Sequence, residues 1–482
     1  MTRYLGRNLI EGVNDSSTFL LHPIHAMILS FMDGRGYDCC VNDAAECLGV
    51  PVQLVKNLVD KLIDNPNEVL VKISEKTGSR FFPKTIISRE EETIDKRYTP
   101  EMFDYTEVKL SLTRHKTPSR ITLMFNNICY TDCIYCYEDK SVKMHCQIPF
   151  ERVMELIHEA RRLNVVTFDV VGGEFFLYDR WREVLAELRK CDFDPYLSTK
   201  MPIDEEDVKL LADLKVHDIQ VSLDSMIEDH LIQSIRVRKG YVERMNNFLD
   251  LLDKYGIPVM LHTVLTQYND TVEDMASIYD VLKKHKNIHD WHVVKGDETL
   301  YPRIDYKRIE ISPIAMKTIA DWLGELKKTS VFPIVYPEVP AQETAQRTLT
   351  EEEEARKREK DMEAFFSRTY CSGLFTSLYI LPTGKVTICE QLYWQNPRFY
   401  VGDVMKNSLE EIWNSKESNS LYYIKQADIP EDSLCHTCKD FAKCRSGRQV
   451  CYREIIKKYG RDKWYYPDVA CPYAKCLEMK KE

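Results

Sequence analysis

Strand-like and helical segments alternate through the middle of this 482-residue chain, and this alternation limits the folds that the chain can adopt. Helical periodicity marks residues 150–163, 181–190, 204–214, 241–255 and 271–285, and β-branched and aromatic runs mark strands at 120–125, 165–171, 196–200, 219–224, 258–265 and 291–295. Such alternation predicts an α/β fold with parallel strands covered by helices. Ligands then bind over the carboxyl ends of the strands.

A loop with three cysteines follows the first of these strands. Cys129, Cys133 and Cys136 are spaced C-x3-C-x2-C. Three thiolates on one tight loop can hold three irons of a [4Fe-4S] cluster and leave the fourth iron open to an exchangeable ligand. Zinc accepts the same thiolates, but no further Cys or His follows before His145 and Cys146.

Further motifs follow the cysteine loop in a fixed order. They are a Gly-Gly-Glu motif after the second strand, Ser198 and Thr199 on the third, Asp224 at the end of the fourth, and Arg236 a dozen residues later. Together with the cysteine loop, they resemble the motifs of radical S-adenosylmethionine (SAM) enzymes. The resemblance implies a partial (β/α)6 TIM barrel whose open iron binds the amino and carboxylate groups of the cofactor.

The resemblance also implies roles for individual residues. Gly172 and Gly173 would let the backbone approach the amino group of the cofactor, since a Cβ would block that approach, and Glu174 completes this cofactor-binding motif. Ser198 and Thr199 would bind the ribose, Tyr135 would lie near the adenine, and Arg236, with Arg238 as a near rival, would pair with the carboxylate. Asp224 joins this predicted cofactor-binding set, and no residue is assigned as the catalytic base.

Eight cysteines lie in the last quarter of the chain: Cys371, Cys389, Cys435, Cys438, Cys444, Cys451, Cys471 and Cys476. Their spacing resembles the SPASM extension, which holds two auxiliary [4Fe-4S] clusters. The resemblance implies that Cys435, Cys438, Cys444 and Cys471 ligate auxiliary cluster II, and that Cys371, Cys389 and Cys451 ligate auxiliary cluster I. Either Cys476 is the fourth ligand of cluster I, or one iron of that cluster is open. The alternative to two iron-sulfur clusters is a pair of zinc sites. The remaining five, Cys39, Cys40, Cys47, Cys146 and Cys191, are interpreted as small buried hydrophobes.

The N-terminal hundred residues indicate a separate winged-helix module. Residues 17–30 are typical of a strand leading into a helix, and residues 69–82 of a hairpin. Residues 51–63 are typical of a helix with Leu54, Leu58 and Leu62 on one face and Val55 and Val59 beside them. The module has 12 Lys plus Arg against 14 Asp plus Glu, a net charge of −2 that disfavours DNA binding. It resembles the leader-recognition domain of peptide-modifying radical enzymes, which pairs a leader peptide with a sheet edge.

Composition indicates a cytoplasmic enzyme. The net charge of −10 disfavours nucleic acid, no apolar stretch approaches the length of a membrane span, and no export signal precedes the sixteen cysteines, which are therefore expected as thiols rather than disulfides. We expect the leader-recognition module at 1–100, the barrel at 115–310, a bridging region with a charged helix at 311–370 and the SPASM domain at 371–482.

The family resemblance implies a function. The cofactors would be three [4Fe-4S] clusters and SAM, which together generate a 5′-deoxyadenosyl radical that removes hydrogen from a peptide. We expect a maturase of the sactipeptide or ranthipeptide type that installs a thioether or carbon-carbon cross-link. Its partners would be a precursor peptide with a leader and a one-electron reductant such as flavodoxin or ferredoxin. The alternatives are a formylglycine-forming enzyme of the anaerobic sulfatase-maturating type and, outside enzymes, a zinc-binding winged-helix regulator.

Overall fold

The computed structural model describes residues 2–5, 18–73, 78–86, 88, 98–103, 114, 117–337, 350–368, 371–446 and 450–474. The chain divides into two compact units, Met1–Thr113 and Arg114–Glu482. Each unit is described by itself below.

The N-terminal unit consists of two antiparallel strand pairs and three helices. Strands β1 (Thr2–Leu5) and β2 (Thr18–Leu21) pair first, helices α1 (Pro23–Ser30), α2 (Tyr37–Leu48) and α3 (Val52–Leu62) follow, and a hairpin of β3 (Val69–Lys72) and β4 (Gly78–Phe81) comes last. The predicted strand, helix and hairpin are present, although the predicted turn at 76–79 begins outside the described residues. Helix α2 was not predicted. It begins after Gly36 and ends before Gly49, whose backbone is in the left-handed conformation.

One feature of helix α3 differs from the prediction. Its buried residues are Val55, Leu58, Val59 and Leu62, whereas Leu54 is 59% exposed. The spacing i, i+3, i+4, i+7 from Val55 defines the buried face, and Leu54 lies one step of about 100° away from it. The valines therefore determine which side of the helix meets the core.

The second unit is built on six parallel strands: β5 (Arg120–Met124), β6 (Thr167–Val171), β7 (Ser198–Thr199), β8 (Ile219–Ser222), β9 (Val259–Leu265) and β10 (Ile288–Lys295). The short strand β11 (Ile334–Val335) extends the sheet beside β10. Helices α4 (Phe150–Arg162), α5 (Trp181–Lys190), α6 (Glu205–Asp213), α7 (Glu228–Ser234), α8 (Tyr241–Lys254), α9 (Val272–Leu282) and α10 (Pro313–Leu326) connect or follow these strands. The predicted α/β fold class is confirmed.

Amphipathic helices close the outside of the sheet. Helix α5 buries Trp181, Val184, Leu185 and Leu188, a spacing of i, i+3, i+4 and i+7 that places all four on one face. Strands β5 and β6 do not pair directly with β7, but the backbone N–H of Tyr196 donates to Oδ1 of Asp169 at 3.1 Å and links the two parts.

The C-terminal region begins with the charged helix α11 (Glu351–Phe366), whose first turn has a capping box between Thr350 and Glu353. Strands β12 (Ser377–Ile380), β13 (Lys385–Thr387) and β14 (Gly402–Asp403) follow, with helices α12 (Leu409–Trp413), α13 (Lys416–Tyr422) and α14 (Tyr452–Tyr459). As predicted, α11 exposes most of its described side chains to solvent.

The C-terminal hairpin is part of the same sheet as the first two barrel strands. Strand β12 runs parallel to β5, so the order of this sheet is β14-β13-β12-β5-β6. Buried side chains of both regions, such as Leu123 and Leu378, belong to one hydrophobic core. Within the described part of the chain, no helix combines the length and apolar character needed to cross a membrane.

We predict that removal of residues 369–482 yields an insoluble barrel. The truncation exposes the edge of β5 and the core side chains that the C-terminal region covers, and an exposed edge strand pairs with other chains. The measurement is the soluble fraction and the elution volume in size-exclusion chromatography. As a control, removal of residues 1–113 leaves the second compact unit intact and should give a soluble monodisperse protein. A soluble monomer after the C-terminal truncation would contradict the shared core.

Candidate active site

The three loop cysteines line a cavity at the carboxyl ends of the parallel strands. The cavity has a volume of about 370 Å³ and includes Cys129, Cys133 and Cys136. Side chains from the ends of β7, β8, β9 and β10 complete its wall. The location confirms the expectation that ligands of this fold bind over the carboxyl ends of the strands.

Two buried asparagines before the first cysteine hold the loop in shape. Oδ1 of Asn126 accepts the backbone N–H of Ile128 at 3.0 Å, and its Nδ2 donates to the carbonyl of Glu174 at 2.9 Å. Asn127 donates to the carbonyl of Asp139 at 3.0 Å and accepts the N–H of Met144 at 2.7 Å. These amides satisfy backbone groups that a tight loop leaves without partners. In the sequence, the signal for this loop support is the pair of adjacent asparagines shortly before Cys129.

The middle of the loop is attached to the end of helix α7. The backbone N–H of Asp132 donates to the carbonyl of Ile235 at 2.9 Å. The carboxylate of Asp132 pairs with Arg236 at 2.8 Å and also with Arg303. Arg236 thus contacts the outside of the cysteine loop and is not among the residues that line the cavity.

Gly172 and Gly173 allow the loop after β6 to pack against the cysteine loop. The N–H of Gly173 donates to the carbonyl of Asn126 at 2.7 Å, and a Cβ on Gly173 would collide with the carbonyl group of Ile128. A Cβ on Gly172 would lie 3.0 Å from the carbonyl oxygen of Asn126. Loop-to-loop packing is therefore one geometric reason for both glycines, and their role in clearance for the cofactor stays a prediction. Both residues still line the cavity.

Glu174 is a buried carboxyl group in the cavity wall. Its Oε2 accepts a hydrogen bond from Oγ1 of Thr199 at 2.8 Å. Burial raises the pKa of Glu174 to about 7, although the hydrogen bond from Thr199 opposes this shift. Ser198 also lines the cavity.

Tyr135, Lys200 and Asp224 form a hydrogen-bonded cluster behind the cysteines. Nζ of Lys200 lies 2.7 Å from Oδ2 of Asp224 and 2.7 Å from the Tyr135 hydroxyl, which also donates to Asp224. Burial lowers the pKa of Lys200, but the charge and hydrogen bond of Asp224 together with the charges of Cys133 and Cys129 outweigh it, and the net pKa is raised. Tyr135 and Lys200 line the cavity, whereas Asp224 is buried beneath them. Asp224 therefore orients these two side chains.

Sequence reasoning missed Lys140, which lies in the same cavity. Its ammonium makes no hydrogen bond or ion pair within the described part of the chain. Burial lowers the pKa of Lys140, but nearby Cys136, Cys129, Glu138 and Cys133 together raise it further than burial lowers it. The lysine thus places a positive charge close to the thiols, a position suited to an anionic cluster or a carboxylate. Its only sequence signal was its position four residues after Cys136.

The chemistry of the loop cysteines fits an iron-sulfur cluster. Burial raises the pKa of Cys129 to about 11 and that of Cys136 to about 12, so both are neutral thiols at pH 7 without a metal. Iron displaces these protons when it binds. Three soft ligands converge on a cavity large enough for a further ligand, as a cluster with one open iron requires.

The structure also groups the C-terminal cysteines as the SPASM resemblance implies. Cys435, Cys438, Cys444 and Cys471 line one small pocket. The second group consists of Cys371, Cys389 and Cys451. Both Cys371 and Cys451 lie close enough to Cys389 for their charges to raise its pKa, in addition to the rise that burial causes. The last predicted ligand, Cys476, lies outside the described residues. These ligand sets stay predictions.

Two of the five remaining cysteines differ from the interpretation as buried hydrophobes. Cys40 and Cys191 are buried and Cys146 is partly buried, but Cys39 and Cys47 are exposed. Both exposed thiols lie on helix α2. Cys39 lies one step of about 100° from Cys40 and so leaves the buried face, whereas Cys47 lies two turns after Cys40, at the C-terminal end of the helix beyond its buried residues.

Comparison with known families identifies two parts of the chain. Residues 123–282 match the model described as the Radical SAM superfamily, and residues 371–439 match SPASM, an iron-sulfur cluster-binding domain. The chain is a radical SAM enzyme with a SPASM domain. Its cofactors are [4Fe-4S] clusters and SAM.

Similar proteins include a peptide-antibiotic biosynthesis protein and a crystallised enzyme. The chain is 21% identical over 373 residues to the antilisterial bacteriocin subtilosin biosynthesis protein AlbA of Bacillus subtilis (strain 168), covering 75% of this chain and 72% of AlbA. Streptococcus suis SuiB bound to its precursor peptide SuiA superposes with a TM-score of 0.62 at 14% identity and 95% coverage of both chains. SuiB bound to SAM gives a TM-score of 0.51 at 16% identity over 74% of this chain and 77% of SuiB. At these identities the structural likeness establishes the fold.

We predict that Gly173→Ala prevents iron loading of the loop. The added Cβ would overlap the carbonyl group of Ile128, which a backbone shift of the cysteine loop must relieve. Gly172→Ala is the matched control, because its Cβ makes only a close contact that a small adjustment relieves. Iron per chain after anaerobic reconstitution is the measurement, made in proteins that keep the auxiliary cysteines. Equal iron contents in the two variants would contradict the packing argument.

Proposed function

We propose that this radical SAM enzyme is a maturase that installs a cross-link, thioether or carbon-carbon, in a ribosomally made precursor peptide. The main support for this proposal is that the cysteine loop and residues close to two SPASM cysteines line the same cavity. Gln391 and Arg453, two residues after Cys389 and Cys451, line the same cavity as Cys129. AlbA is named for subtilosin biosynthesis and SuiB was crystallised with a precursor peptide, which supports a peptide substrate here.

The bound cluster and SAM supply the abstraction of a hydrogen atom, and the chain supplies position and charge. Cys129, Cys133 and Cys136 would hold the cluster, and all three line the cavity. The Tyr135, Lys200 and Asp224 cluster keeps the wall rigid, since each group is fixed by the other two. Lys140 provides a positive charge that can balance the carboxylate of SAM, in place of Arg236, which is engaged with Asp132.

Removal of a hydrogen atom leaves a substrate radical that must lose one electron before a closed-shell cross-link forms. Cys371, Cys389 and Cys451 would hold auxiliary cluster I, which would supply a one-electron acceptor. These three residues supply three thiolates, so a substrate thiolate or Cys476 would complete the fourth position. A substrate thiolate at that position would favour a thioether, whereas a carbon-carbon cross-link needs no such coordination.

Leader binding is the proposed role of the N-terminal unit. Among the described residues, β3 pairs with β4 only and has no partner strand on its other side. Leu70 in this strand is 62% exposed. A peptide that adds a strand gains backbone hydrogen bonds from the free edge and an apolar contact from Leu70. This unit favours a maturase over a formylglycine-forming enzyme, which typically lacks a leader-recognition domain.

The proposal includes the cellular setting. A one-electron reductant such as flavodoxin or ferredoxin would reduce the cluster, and the cytoplasm would supply both the reductant and an environment in which thiols stay free for iron. The zinc-binding regulator interpretation does not account for a radical SAM domain.

We predict that replacing Cys129, Cys133 and Cys136 together by Ala abolishes formation of 5′-deoxyadenosine. Without thiolates the loop cannot hold a cluster, and no other described group in the cavity is a soft iron ligand. Anaerobic incubation with dithionite and SAM followed by mass spectrometry gives the measurement. Cys39→Ala, which removes an exposed thiol in the other unit, is the control and should leave the yield unchanged. Persistent 5′-deoxyadenosine in the triple variant would refute the assignment.

We also predict that Leu70→Asp weakens binding of the leader peptide about tenfold, on the order of 1.4 kcal/mol. The substitution removes the apolar contact at the strand edge and adds a charge beside the peptide backbone. Leu54→Asp is the matched control, because Leu54 is 59% exposed on helix α3 and is not part of the edge. Fluorescence anisotropy with the labelled leader of the neighbouring precursor gene measures both. If the two variants lose affinity equally, the edge of β3 is not the binding site.

A further inference from the structure

A buried arginine lies against the four cysteines of the second pocket. Arg445 lines this pocket together with Cys435, Cys438, Cys444 and Cys471, and the residue is 2% exposed. Its Nη2 lies 3.8 Å from Sγ of Cys435. The guanidinium is thus in contact with the ligand set itself.

The positive charge of Arg445 has no carboxylate partner among the described residues. Nη2 donates to the backbone carbonyl of Tyr466, while Nε and Nη1 are buried without a hydrogen-bond acceptor. Asp468, one of two acids in the pocket wall, instead pairs with Arg368 at 3.1 Å and accepts the N–H of Cys451 at 2.8 Å. Asp440 accepts the hydroxyl of Tyr473. A guanidinium does not deprotonate in proteins, so its charge remains.

A buried and unpaired cation is costly unless an anion compensates it. A four-iron cluster on four thiolates is such an anion, and one-electron reduction adds a further negative charge to it. A cation at contact distance from a ligating sulfur stabilises the reduced cluster more than the oxidised one. Hydrogen bonds and charges near the sulfurs are among the factors that set the reduction potential.

We propose that Arg445 is the counter-charge of the cluster in this pocket and raises its reduction potential. The inference rests on the iron-sulfur content of the SPASM domain and is independent of the peptide substrate. A purely structural role is the alternative, because the same guanidinium binds the Tyr466 carbonyl and lies 5.7 Å from the centre of the Tyr452 ring. The two roles differ in whether the potential depends on the charge.

The test is an EPR-monitored redox titration of the full-length chain. Cys129, Cys133 and Cys136 are replaced by Ala in every sample to remove the barrel cluster, and Cys438→Ala identifies which remaining signal belongs to this pocket. Arg445→Met and Arg445→Gln remove the charge, and Arg445→Lys keeps it. Arg398→Met is the control: Arg398 stacks on Trp464 at 3.8 Å and does not line the pocket.

We expect both neutral variants to shift the one-electron reduction equilibrium at least tenfold toward the oxidised form, about 59 mV lower in midpoint. Arg445→Lys should shift less, and Arg398→Met should not shift. The iron content per chain is measured for every variant, so that a variant that binds the cluster poorly is recognised. Loss of the cluster from both neutral variants but not from Arg445→Lys would support the counter-charge. Loaded neutral variants with an unshifted midpoint, or equal loss of the cluster from all three Arg445 variants, would overturn the proposal.

Discussion

The site depends on the close approach of the loop after β5 to the loop after β6. The hydrogen bond from Gly173 to the carbonyl of Asn126 measures 2.7 Å, and Sγ of Cys129 lies 3.1 Å from the carbonyl oxygen of Gly173. No side chain fits between the two backbones, so the cysteine loop takes its shape from a second loop some forty residues away. Because Glu174 directly follows Gly173, the same contact places a buried carboxyl group beside the cysteines.

The contact matters for chemistry because it is made at the ends of two paired parallel strands. Strands β5 and β6 fix the starting points of both loops, and β12 on the other side of β5 carries the SPASM hairpin. The backbone N–H of Gln147, in the chain between the cysteine loop and helix α4, donates to the carbonyl of Pro382 in that hairpin at 2.8 Å. One sheet therefore supports both the loop of the radical SAM cluster and the segment that leads to Cys389. The proposed hydrogen abstraction and the later removal of an electron can then take place in one cavity.

Two positively charged side chains in the interior also lie close to the cysteines. Lys140 near the loop cysteines makes no ion pair within the described residues, although the buried carboxyl group of Glu138 is close enough to raise its pKa, and Arg445 beside Cys435 has no carboxylate partner there. In an apolar interior such groups would be strongly destabilising. Both lie where thiolate ligands converge, so a negatively charged cluster would supply the missing compensation at each place. The distribution of unpaired cations is thus an indication of cluster positions that is independent of cysteine spacing.

Local sequence patterns were enough to predict most of the helices and strands and the cysteines that could act as cluster ligands. Periodicity located most strands and helices of the barrel within about two residues, because local hydrophobic patterns reflect burial on one face. Cysteine spacing predicted the loop ligands and divided the later cysteines into the two groups that the structure brings together. The contacts of residues whose partners are distant in sequence became visible only in the fold. Arg236 binds Asp132, Gly173 accommodates Ile128, and Lys140 and Arg445 lie beside thiols, because such contacts arise from the packing of loops whose relative positions no local pattern encodes.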